Sequence, residues 1–170
     1  MRLSSRGEYG VRAMVALART YNGTPVSLNE IAESERISLS YLEQLIAALR
    51  RAGLVNAVRG AAGGYRLARP PEQITIGDVV RPLEPVALTN CADPSASREC
   101  CKRRPDCATR AFWLGVNAQL MEALDSTTLA DLNRPGASAT LAAGGGQASP
   151  SAPAPEGSTQ RAGTRRSLPL

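Results

Sequence analysis

Residues 37–69 read ISLSYLEQLIAALRRAGLVNAVRGAAGGYRLAR, and the fold turns on this stretch. Leu42, Leu45, Ile46 and Leu49 recur at i, i+3, i+4 and i+7, so they share one face of a helix and should point to a core. Arg50 and Arg51 follow at its carboxyl end, where the helix dipole favours cations. Gly53 closes the helix. Val55 and Val58 then flank one short strand and Tyr65 to Leu67 supply another. Between them Gly60-Ala61-Ala62-Gly63-Gly64 reads as a hairpin loop, in which Gly63 and Gly64 can take backbone angles closed to other residues.

Just upstream, Ser27 precedes Glu30 by three, a capping-box pattern that opens a short helix from Leu28 to about Ser34. Two short helices with a turn between them make a helix-turn-helix. A glycine-rich hairpin directly after the second helix makes it winged. The predicted fold class is mainly α with a small β-hairpin wing: a winged helix-turn-helix plus a long C-terminal dimerisation helix.

Working outward, Val11, Met14, Val15, Leu17 and Ala18 predict an amphipathic helix from Ser5 to Tyr21. Asn22-Gly23 should end it, with the glycine supplying the positive φ of a C-cap. Pro70 and Pro71 end the wing, and Thr75 caps a short helix running through Ile76, Val79, Val80 and Leu83. From Thr109 to Leu124 the positions Phe112, Trp113, Val116, Leu120 and Leu124 form a wide apolar stripe, with Met121 beside it. Such a face needs cover. The first helix should supply part and the same helix of a second subunit the rest, which predicts a twofold homodimer with two recognition helices.

The resulting division is 1–84 for the DNA-binding domain, 85–108 for a cysteine-rich loop, 109–133 for the dimerisation helix and a short terminal helix, and 134–170 for a tail. Beyond Asn133 the chain is dominated by Gly, Ala, Ser, Pro and Thr. A segment so poor in large apolar residues cannot offset its ordering entropy, so a disordered tail is expected.

The totals agree with this plan. A chain of 170 residues with 43% hydrophobic residues supports one compact domain with an appendage, and 4% aromatic residues make its core aliphatic. A net charge of +5 and a pI near 9.4 suit a polyanionic partner. No apolar run fits a signal peptide or a membrane span, so a cytoplasmic location is expected, where structural disulfides are rare. The chain has no histidine, which excludes Ser-His-Asp and Cys-His catalysis and any His-ligated zinc.

All four cysteines, Cys91, Cys100, Cys101 and Cys107, fall within seventeen residues. Eight residues separate Cys91 from Cys100 and five separate Cys101 from Cys107. This is neither a C-x-x-C redox pair nor a zinc ribbon. An irregular loop of thiolates suits an iron–sulfur cluster. Lys102, Arg103 and Arg104 would favour the thiolate form of their neighbours, which keeps thiol-oxidation sensing open, and four-cysteine zinc is a further alternative. A thiol–disulfide oxidoreductase finds no support, since no βαβ pattern is present. The chain is not read as an enzyme.

For DNA, Ser38 caps the recognition helix and places Leu39, Ser40, Tyr41 and Glu43 in its first turns. Ser40 can bond bases or phosphates, and Glu43 can accept from a cytosine amino group. Arg59 sits at the base of the wing, where a glycine-rich backbone around Gly63 lets an arginine enter a narrow minor groove. Arg2, Arg6, Arg50 and Arg51 are candidate phosphate contacts.

MRLSSRGEYGVRAMVALA at the amino end, the stretch quoted at the outset, and the later DCATRAFW and LDSTTLADL together resemble the Rrf-type winged-helix transcriptional regulators, the IscR-, NsrR- and CymR-like proteins. The likeness covers nearly all of residues 1–133, and VRGAAGGYRL is its most specific piece. It implies a dimeric repressor or dual regulator, with the wing and third helix on double-stranded DNA. It also implies Ser40, Glu43 and Arg59 as contact residues. Many members hold an iron–sulfur cluster in this loop, which implies Cys91, Cys100 and Cys107 as ligands. The two-iron two-sulfur form is favoured, with four-iron four-sulfur as the alternative. Where IscR-like members have a histidine three residues after the last cysteine, this chain has Arg110, so the fourth ligand must come from elsewhere. Glu8, donated by the partner subunit as in NsrR-like members, ranks above Cys101, because adjacent cysteines rarely both reach one small cluster. Such a centre would sense redox state, iron–sulfur status or nitric oxide. Some relatives lack a cluster and act with a metabolic enzyme, so the resemblance also leaves a partner enzyme open.

Overall fold

The computed structural model describes residues 4–60, 62–93, 96, 101 and 106–134. Helix α1 spans Ser5–Arg19 and begins at Ser4, whose side chain accepts from the Arg6 amide. Gly7, Gly10, Ala13, Met14, Leu17 and Ala18 form its buried face. Asn22, not Gly23, takes the left-handed conformation after it, at φ 69°; a short polar side chain tolerates that region without a glycine. Helix α2, Leu28–Glu35, carries the expected reciprocal cap between Ser27 and Glu30. Helix α3 is Leu39–Arg51. Ser38 is its N-cap residue, yet the hydroxyl makes no capping hydrogen bond.

These helices meet around an aliphatic core. Met14 and Leu17 of α1, Ile31 of α2, and Leu42, Leu45, Ile46 and Leu49 of α3 are all fully buried. Each such side chain contributes about 1.5–3 kcal/mol relative to exposure.

Strands β1, Val55–Val58, and β2, Gly64–Leu67, pair antiparallel, with Val55 opposite Leu67 and Val58 opposite Gly64. The loop glycines differ from expectation. Positive φ falls at Gly60 (118°), whereas Gly63 and Gly64 serve close approach. A Cβ on Gly63 would lie 2.5 Å from the Val58 carbonyl oxygen, and one on Gly64 equally near that of Val26. The second contact exists because Val26, just before α2, pairs with β2: its amide donates to the Tyr65 carbonyl (3.0 Å), and its carbonyl accepts from the Tyr65 amide (2.8 Å). The wing is therefore stapled to the helix-turn-helix at its base.

A 3-10 turn, Pro71–Gln73, leads to α4, Ile76–Val80, capped reciprocally by Thr75 and Asp78. Helix α5, Arg110–Ser126, lies against α4, and α6, Leu129–Leu132, folds back onto the 3-10 turn and α1. The Leu129 amide donates to the Ile74 carbonyl (2.9 Å) and buries Leu129 completely. The first helix was expected to cover part of α5; the main packing surface comes from α4. Among the seventeen residues of α5 only Asn117 is buried, and Phe112 is 62% exposed. Among the described residues no helix is long and apolar enough to cross a membrane. Of the predicted disordered tail only Arg134 is described; 135–170 lie outside the described residues.

Candidate DNA-binding surface and cysteine segment

Burial of Leu42, Leu45, Ile46, Ala48 and Leu49 rotates the rest of α3 outward. Its solvent face presents Leu39, Ser40, Glu43, Gln44, Ala47, Arg50 and Arg51, with Ser38 exposed at the amino end. Tyr41 departs from this pattern. It is half-buried, its ring edge-on to Tyr9 at 6.1 Å, and Arg12 lies 5.4 Å from the Tyr9 ring centre. Much of the Tyr41 side chain is thus committed to holding α3 on α1. Gln44 was not singled out from the sequence, though it stands four residues after Ser40 on the same stripe and helical periodicity would have found it.

The wing extends this surface. Arg59 is exposed at the start of the loop, and the Gly63 amide donates to the Gly60 carbonyl (2.9 Å), closing a tight turn. Arg66, opposite Asn56 across the hairpin, is also exposed and was likewise missed.

Charge pairing separates two kinds of arginine. Arg12, Arg19, Arg69, Arg81 and Arg134 are ion-paired to carboxylates. Arg6, Arg50, Arg51, Arg59 and Arg66 have no ion pair among the described residues. Positive charge on α3 and the wing is therefore not neutralised by a carboxylate among the described residues. Arg2 lies outside the described residues.

The cysteine segment joins this unit to α5. Cys91, Cys101 and Cys107 are half-buried thiols; Cys100 and Lys102 to Arg104 lie outside the described residues. Cys91 Sγ is 3.2 Å from Thr89 Oγ1, and Cys107 Sγ is 3.4 Å from Thr109 Oγ1. The Arg110 amide donates to the Cys107 carbonyl (3.1 Å), while its Nε is buried without a hydrogen-bond partner among the described residues. Glu8 is exposed in the first turn of α1. Among the described residues no three Cys, Asp or Glu side chains converge enough to share a metal within one protomer.

A helix-turn-helix with a short antiparallel wing, an outward recognition face and unpaired arginines defines the winged-helix DNA-binding proteins. The chain belongs to the Rrf2 family, whose model, described as iron-dependent transcriptional regulator, matches residues 3–135. It is 40% identical over 136 residues to the HTH-type transcriptional regulator CymR of Bacillus subtilis, covering 78% of this chain and 89% of that protein. It is 41% identical over 133 residues to IscR of Aliivibrio salmonicida, covering 78% of this chain and 77% of that one. The solved structure of CymR, the global cysteine regulator of B. subtilis, superposes with TM-score 0.65 at 40% identity, over 78% of this chain and 96% of that chain. The T. potens IscR structure superposes with TM-score 0.63 at 45% identity, over 78% and 85%. This chain is accordingly a DNA-binding transcriptional regulator, not an enzyme.

Proposed function

We propose that the protein works as a homodimer whose hold on DNA is set by an iron–sulfur cluster on the cysteine segment. The observation that carries this reading is the placement of every thiol of the chain on the one segment between the wing domain and α5, with the orphaned Arg110 Nε beside it. Thiolates are the usual ligands of such clusters, and a buried guanidinium N–H lacking an acceptor suits an anionic sulfur centre. The donor set therefore fits the group. Cys91, Cys100 and Cys107 would hold it, with Glu8 of the partner subunit or Cys101 as the fourth ligand. When bound, the cluster supplies a redox-active centre open to oxidants and nitric oxide.

The chain's own residues do the rest. The weakly covered apolar face of α5 pairs with the same face of a second copy, which removes Phe112, Leu120 and their neighbours from water. Ser38, Ser40 and Glu43 on α3 meet base edges and phosphates, with Tyr41 held back by its packing. Arg50 binds phosphates, and the close backbone approach at Gly63 lets Arg59 enter a narrow minor groove. A change at the thiols then alters the relation of α5 to the wing domain, and with it the fit of two recognition helices to two half-sites.

Anaerobic purification with iron and sulfide assays, followed by promoter binding with and without oxygen, tests the reading. Stoichiometric iron and sulfide with oxygen-dependent affinity are expected. A colourless, iron-free dimer that binds DNA identically in air and nitrogen overturns it. A second reading keeps fold and dimer but lets the half-exposed thiols sense oxidants without a cluster; iron-free protein whose binding still depends on redox state would favour it.

A further inference from the structure

Among the described residues Asn117 is the one polar residue buried as a whole, 7% exposed at the centre of an otherwise half-exposed apolar helix. A buried amide is retained only where it is hydrogen-bonded, and otherwise costs free energy that an aliphatic residue would not. Here its Oδ1 accepts from the Leu88 backbone amide at 3.1 Å. Leu88 is peptide-bonded to Thr89, and Thr89 Oγ1 lies 3.2 Å from Cys91 Sγ. Ala92, next to that thiol, is buried and anchors the turn. The route from the Cys91 sulfur to the middle of α5 is therefore two hydrogen bonds and one short run of backbone.

We propose that Asn117 is a positioning residue that transmits the state of the Cys91 sulfur, through Thr89 and the Leu88 amide, to helix α5. This deepens the sensing reading above by naming its route, and it rests on that reading for its biological use. The mechanism is geometric. Any new bond at Cys91 Sγ competes for the Thr89 hydroxyl and shifts the 88–91 backbone. The Leu88 amide cannot shift without moving or losing Asn117, because a buried carbonyl oxygen without a donor is costly. The helix must then rotate or slide to satisfy the group. An aliphatic residue at 117 cannot accept from the Leu88 amide and would transmit nothing.

The chain supplies its own reporter. Trp113 is its single tryptophan, stands one helical turn before Asn117, and is half-buried edge-on to Phe112 at 5.1 Å. In the full-length protein with Cys100, Cys101 and Cys107 changed to Ser, iodoacetamide alkylates Cys91 alone, the sulfur displacing iodide and releasing its proton to buffer. Alkylation is expected to shift Trp113 emission and to lower hydrogen-exchange protection in α5 with Asn117 present. Both responses should be lost in Asn117→Leu and, separately, in Thr89→Val, which breaks the other link at a half-buried site and stands in should the Leu variant fail to fold. Unchanged responses in folded variants, or no response in the Asn117 protein, overturn the proposal. No DNA or iron enters the assay, so its outcome is separable from that of the cluster reading.

Discussion

Arg81, directly after α4, donates from Nη2 to both carboxylate oxygens of Asp125 near the end of α5, at 2.6 and 2.5 Å. Gly77 lies beneath this pair, and a Cβ there would sit 2.1 Å from Asp125 Oδ1. The glycine thus makes room for the ion pair that joins α4 to α5. Both partners are more than a third exposed, at 40% and 47%, so the pair contributes at most about 1 kcal/mol and acts more on position than on stability.

Gly77→Ala should therefore displace Asp125 and cost up to about 1 kcal/mol. In the Asp125→Ala background the same change should be neutral or stabilising, by up to about 1 kcal/mol, because alanine is the better helix former. Urea unfolding of the two single variants and the double variant measures this. Equal cost of Gly77→Ala in both backgrounds would show that the glycine serves something other than the ion pair.

Thr75→Ala removes the hydroxyl that accepts from the Asp78 amide at 3.0 Å. A lost cap of this kind costs about 1 kcal/mol. Thermal unfolding should show a drop of a few degrees, with no change in helix content at low temperature.

On DNA, Arg50→Ala should weaken binding to all duplexes alike and reduce the salt-dependence slope by about one. Glu43→Gln should instead change preference at one base pair, worth about 1–3 kcal/mol of discrimination. Anisotropy titrations at several salt concentrations separate the two patterns. A uniform loss for Glu43→Gln would place it off the base edges.

Asp131 is held below its ordinary carboxylate value of 3.8, first by the Thr128 hydroxyl, then by the Thr128 amide, with Arg134 adding to the effect. A depressed carboxyl stabilises the fold above its unfolded value, and that contribution is lost as pH falls below 3.8 through the folded value. Asp131→Asn should therefore lack this part of the acid dependence. Identical acid unfolding curves for the two proteins would remove Asp131 from the account.

How much of this was legible beforehand depended on the range of the interaction. The helices and their caps at Ser27 and Thr75 follow from spacings of three and four residues, which the local chain sets by itself. The hairpin was legible for the same reason, but the reasons for its glycines were not. Gly64 is needed because Val26, far away in sequence, presses its carbonyl against that position. The outward face of α3 could be read from its apolar stripe. The partial withdrawal of Tyr41 required knowing that Tyr9 lies beside it. Likewise, no property of Arg59 or Arg81 as residue types tells which is paired to an internal carboxylate and which has no ion pair among the described residues.

By itself, the sequence determined that this chain builds a winged helix, carries an apolar helix in need of cover, and gathers its thiols on the segment between them. Periodicity, capping and composition act within a few residues and survive without tertiary contacts. Tertiary structure alone decided that α4 is the main support of α5, that Val26 staples the wing, and that Asn117 is buried against Leu88. Each of those is a contact between residues distant in the chain, chosen by how whole elements pack, and a buried polar group finds its partner only after that packing is complete.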